Sequence, residues 1–236
     1  MSKFDGFNKA STTSSDFDAG LKSYMLRVYN YMGFGLLLTA FFSFVVSLSP
    51  SLMNAIYGTP LGIVVMFAPL AFVLVLSFGV NKLSASTAQL LFWAFSAVQG
   101  VSLSYLFVVY TGASLARVFL ITSATFLTMS LYGYTTKSDL SRMGSILIMG
   151  LIGIIIASIV NIFMKSSALE LAVSIIGVII FTGLTAWDTQ KIKLSYDESY
   201  GEDVIKKQAI YGALALYLDF INLFLMLLRL IGNRRD

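Results

Sequence analysis

The stretch LYLDFINLFLMLLR, residues 216–229, decides how the rest of the chain is read. It is almost wholly aliphatic and aromatic, a composition that favours leaving water, yet Asp219 stands in the middle of it. An ionised carboxylate costs about 3 kcal/mol near the centre of a membrane helix unless it is paired, watered or protonated. Asp219 is therefore either an argument against membrane burial or the most informative group in the segment. Helical spacing puts Ala215, Asp219, Asn222, Met226 and Arg229 on one face. In a span starting near 209, Asp219 sits about 15 Å in, close to mid-bilayer, and should face the protein interior. Arg229 is about 15 Å farther along, too distant to pair with it, and snorkels to the interface.

Composition supports the membrane reading. Of 236 residues, 57% are hydrophobic and 12% charged, with mean hydropathy +0.83, too apolar for a domain that must cover itself with charge. There is no cysteine and no histidine, which excludes disulfide scaffolds, Cys/His zinc sites, Cys/His nucleophiles and imidazole relays. Proton chemistry then falls to carboxylates. The net charge of +4 reads as a topology signal and not as a nucleic-acid footprint.

Apolar segments near 28–49, 61–80, 87–110, 115–134, 145–164, 169–190 and 209–229 are each long enough to cross a hydrocarbon core about 30 Å thick. The fold class expected is an all-α integral membrane protein of seven transmembrane helices. Residues 1–20 read as a polar, disordered tail without the pattern of a cleaved signal, and 21–236 as one domain. Pro69, inside the second span, is expected to kink it. The side holding the N-terminus carries eleven of the sixteen basic residues and the other side five, so the N-terminus is expected in the cytoplasm and the C-terminus outside. The basic ending RLIGNRRD pulls the other way, and a last segment that stops short of crossing would satisfy both signals. Glycines recur within the spans, among them Gly33, Gly62, Gly79, Gly100, Gly144, Gly150, Gly153, Gly177, Gly183 and Gly212. They imply close helix packing without calling for dimerisation, and a monomer is expected.

The second acid of interest is Asp188 in FTGLTAWDTQKIK, where Thr182, Thr185 and Asp188 form an i, i+3, i+6 line. Its plain structural reading is the interfacial end of the sixth helix, beside Lys191 and Lys193. Its functional reading is a partnership with Asp219 across the hairpin of the last two spans, where two carboxyls in one low-dielectric site share a proton. Straight helices leave the two offset by about 10 Å along the membrane normal. Ser96, Gln99 and Ser102 on the third span and Asn161 on the fifth read as interhelical hydrogen-bonding groups or as a path lining. The acidic loop YDESYGED at 196–203 lacks the spacing of a calcium-binding hand. HExxH, phosphate-binding glycine loops and G-x-S-x-G elbows are absent, and no enzyme activity is expected.

The stretches WDTQKIK at 187–193 and ALYLDFINLFLMLLRLIG at 215–232, supported by TKSDLS at 136–141 and VNIFM at 160–164, resemble the BAX inhibitor-1 (transmembrane BAX inhibitor motif) family, in particular its bacterial YetJ/YccA-type branch. The resemblance covers residues 21–236. It implies six helices around a central C-terminal helix and a proton-sensitive calcium leak, with Asp188 and Asp219 as the pH sensor and gate. A latch arginine known in that branch falls here near Asn81 and Lys82, and the acid of its second helix has no counterpart.

The function expected is therefore a pH-sensitive calcium leak in a bacterial inner membrane. Asp188 and Asp219 offer weak, transient ligands to Ca²⁺, and Asn81, Lys82, Gln99, Asn161, Thr185 and Asn222 are supporting polar residues. No cofactor is expected; Ca²⁺ is the expected transported ion, and Ca²⁺ and protons are the expected small partners. The lipid bilayer is the surrounding partner, and nucleic acid is not one. The alternative is a non-conducting regulator or scaffold that binds other membrane proteins, such as a quality-control protease.

Overall fold

In lipid each backbone N–H and C=O must find its partner within the segment, so every apolar run closes its own bonds as a helix. A computed structural model describes residues 4–80 and 82–235, with side chains from residue 17 onward. Its helices are α1 (Phe4–Ser47), α2 (Pro50–Tyr57), α3 (Leu61–Gly79), α4 (Ala85–Leu103), α5 (Leu106–Val109), α6 (Gly112–Thr135), α7 (Ser141–Met164), α8 (Ser167–Leu194) and α9 (Glu202–Ile231). Counting α4 and α5 as one span, seven are long and apolar enough to cross a bilayer, as expected. The short α2, which fills the first connection, was not anticipated. Several spans begin at hydroxyl caps: the side chains of Ser84, Thr111 and Ser166 accept from the amides of Thr87, Ser114 and Leu169. Pro69 lies inside α3 without ending it.

The C-terminal helix α9 is the axis of the bundle. It packs on α8, α1, α6 and α4, while α3 leans mainly on α4 and α7 on α8. Four helices thus surround α9 closely, and two stand mostly one layer out. The outer pair bury little of their apolar windows, 17% for α3 and 6% for α7, against 56% for α9. Lipid tails are as apolar as leucine, so an outward apolar face costs nothing there.

The two ends of the bundle differ. At the end holding the 136–140 and 195–201 turns, here called the basic end, α1 overlies Tyr196: Tyr24 stacks on its ring at 5.4 Å and Phe17 meets it at 5.5 Å. Arg27 pairs with Glu202 at 3.6 Å. Helix α1 is already helical at Phe4, so the tail expected over 1–20 joins the fold through its last turn. At the far end, the residues after α9 add to the α5–α6 junction. Arg235 N donates to Val109 O at 2.8 Å, Thr111 N to Asn233 O at 3.1 Å, and Asn233 N to Ser114 Oγ at 2.8 Å. Arg234 reaches Glu170 at 3.5 Å. Helix α9 therefore runs the full height of the bundle.

Candidate functional site: a buried carboxyl pair

Helix α8 continues to Leu194 and α9 begins at Glu202, seven residues before the start expected near 209. The polar EDVIKKQ segment is helical but overhangs the end of α8. Two close approaches set the hairpin register, with Gly212 against Ile192 and Gly177 against Met226. That register puts Asp188 opposite Leu216, about 5 Å of helix rise from Asp219 instead of the expected 10 Å. Side chains span that difference. The two carboxyls lie close enough to act on each other.

Their surroundings differ. Asp219 is 5% exposed, and its Oδ2 finds no donor among the described residues. Asp188 is half-buried and forms part of a crevice of about 250 Å³ at the basic end, with Tyr24, Lys191, Ser195, Lys207 and Gln208 among its walls. The Lys191 charge acts on Asp188, and its ammonium stands 4.9 Å over the Trp187 ring. Gln208 Oε1 is buried there without a partner among the described residues. On the far side of Asp219 the packing turns apolar and aromatic: Phe220 meets Phe119 at 5.5 Å and Phe126 at 5.6 Å. Tyr217 is fully buried against Phe92 and Phe95, its hydroxyl 2.6 Å from Thr39 Oγ1. The site is a crevice of mixed lining that reaches Asp188, with Asp219 buried behind it and aromatic rings packed beyond.

The supporting residues expected from the sequence do not join it. Thr185 Oγ1 donates to Phe181 O at 2.8 Å, and Asn222 Nδ2 to Leu218 O at 2.8 Å, each satisfied one turn back on its own helix. Asn161 Oδ1 accepts from Ser166 N at 2.9 Å and closes the far-end turn where Lys165 is left-handed, φ 49°. Gln99 is half-buried on α4, outside the crevice, and Lys82 is exposed in the α3–α4 turn. Asn81 lies outside the described residues. Among the described residues no third acid joins the pair, so a cation would find two carboxylates and otherwise neutral oxygens or water.

Gln190, two positions past Asp188, has a structural task. Its Oε1 accepts from Leu140 N at 2.9 Å and its Nε2 donates to Ser138 O at 2.8 Å, tying the α6–α7 turn to α8. Tyr24, Lys207, Gln208 and Tyr217 were missed as site neighbours, because nothing in their local sequence distinguishes them from ordinary core or surface groups.

A family model described as Inhibitor of apoptosis-promoting Bax1 matches residues 21–236. The chain belongs to this family. Relatives include the inner membrane protein YbhL of Escherichia coli (strain K12), 51% identical over 220 residues, 92% of this chain and 94% of the relative. The uncharacterized protein RP147 of Rickettsia prowazekii (strain Madrid E) is 50% identical over 233 residues, 98% of this chain and 99% of the relative. An uncharacterized membrane protein of Streptococcus pyogenes serotype M6 is 34% identical over 221 residues, 92% and 95% of the two chains. This Bax1-family chain is thus similar along nearly its whole length to bacterial membrane proteins, as the resemblance in its last two spans implied.

Proposed function

We propose that this membrane protein is a passive, proton-responsive leak for cations, Ca²⁺ foremost, across a bacterial inner membrane, gated by Asp188 and Asp219. The observation that carries the proposal is the closeness of the two carboxyls, Asp188 on the wall of a crevice at the basic end and Asp219 buried beside it. With one proton between them the carboxyls bind each other and hold α8 against α9. Loss of that proton leaves two negative charges in a water-poor site, and their repulsion loosens the hairpin at the point where the crevice stops. Hard cations prefer oxygen ligands, so the opened pair attracts one. Two carboxylates beside Lys191 hold it weakly, which suits a leak better than a storage site. The basic end faces the cytoplasm by its excess of Lys and Arg.

The experiment is Ca²⁺ flux into proteoliposomes across pH. The parent should conduct more as pH rises, and Asp188→Asn or Asp219→Asn should flatten the profile. No flux in the parent, or a profile that both substitutions leave unchanged, sinks the proposal. The second reading, a regulator that binds other membrane proteins, is favoured by α7, whose apolar face packs chiefly on α8 and is mostly open. It predicts no flux and a stoichiometric membrane partner lost when that face is altered.

A further inference from the structure

Helices α1 and α6 are neighbours around α9 yet hardly touch. The seam between them carries two hollows in line. The one toward the far end, about 210 Å³, lies among Ala40, Ser43, Ala116, Phe119, Phe220 and Phe224. A wider one toward the basic end, about 490 Å³, opens among Lys22, Met25, Leu26, Leu127, Leu131 and Tyr134. Tyr29 OH and Ser130 Oγ, 2.6 Å apart, tie the seam within the wider hollow, and Thr189 holds Ser130 at 2.9 Å.

The walls of the wider hollow are apolar and open, with Leu26, Leu127 and Leu131 exposed by 53%, 63% and 63%. Both walls are bilayer-spanning helices, so the slot faces acyl chains and not water. Its charge is one-sided. Lys22 stands at its basic-end mouth and takes part in neither ion pair among the described residues. Lys193 Nζ is held at Tyr134 O, 2.8 Å away, and 5.1 Å from the centre of that ring. Basic pockets between membrane helices take anionic headgroups, and the far hollow has no basic residue in its lining.

We propose that the basic-end half of the α1–α6 seam binds an anionic phospholipid, one acyl chain lying along Leu26, Leu127 and Leu131 and its phosphate meeting Lys22. A second helix in the slot would satisfy the leucines, but it would meet the lysine only with an acid of its own at that height. The test is native mass spectrometry of the full-length protein in mild detergent. It is offered phosphatidylglycerol, phosphatidylcholine with the same chains, or glycerol 3-phosphate.

One phosphatidylglycerol should be retained per chain, phosphatidylcholine about fivefold less, as one lysine's attraction requires, and glycerol 3-phosphate not at all. Leu127→Trp, which fills the slot, should remove the lipid. Lys22→Gln, on an exposed side chain, should bring phosphatidylglycerol down to the phosphatidylcholine level. If the tryptophan variant does not fold, the lysine variant decides alone. Equal retention of both lipids by the parent, unchanged phosphatidylglycerol retention in the variants, or a retained polypeptide in place of lipid overturns the proposal. Ion flux does not enter the readout, so its outcome is independent of the leak.

Discussion

Among the described residues Asp219 is the one buried acid, and the proposed proton response passes through it. A buried carboxyl whose second oxygen lacks a donor is a cost to the fold, and apolar replacement of such groups is often stabilising. Replacing the pair together, Asp188→Leu with Asp219→Leu, should therefore raise stability by about 1 kcal/mol while removing the pH response of Ca²⁺ flux. Thermal unfolding in detergent, followed by the fluorescence of the two tryptophans, measures the first effect. A lower melting temperature would mean that Asp219 is held by more than Asp188. Both aspartates were legible in the sequence because an acid in an apolar run is costly enough to need a reason. Gln190, Gln208 and Tyr217 were not, since their importance lies in partners 50 or more positions away or in the lack of any.

Among the helices, the spans were legible and their register was not. Hydrocarbon thickness fixes how long an apolar run must be, whereas the relative height of two helices depends on which small residue meets which large one. The α8–α9 offset was overestimated because EDVIKKQ is too polar to read as part of a span, although it continues α9 outward. Glycines illustrate the same limit. Gly153 belongs to an evident series, yet a side chain there would meet nothing, whereas one at Gly133 would run into the Ala186 carbonyl on α8. Gly133→Ala should destabilise the protein by about 2 kcal/mol through overpacking. Gly153→Ala should be neutral or gain up to about 1 kcal/mol in helix propensity. The two melting temperatures, compared with the parent under the same detergent, check both, and equal values would contradict the α6–α8 contact.

Across the whole molecule, the bundle puts the start of α1 and the end of α9 at opposite ends, and the proposed orientation, with the basic end in the cytoplasm, follows the distribution of Lys and Arg. The chain has no native cysteine, so single introduced ones report on sidedness. In bacterial spheroplasts an impermeant maleimide should label Ser167→Cys at the far end directly, and Glu198→Cys at the basic end only after permeabilisation. The opposite pattern would put the basic end outside. The sequence by itself determined the membrane class, the number of spans, the family and the two acids to watch, because hydropathy, length and unpaired charge are properties of single segments. Only the tertiary structure decided that Asp188 lies close to Asp219, that the last helix runs the full height of the bundle and that α1 and α6 leave a seam. Each of those depends on how helices far apart in the chain slide and pack against one another, and the free energy that sets it is shared between segments.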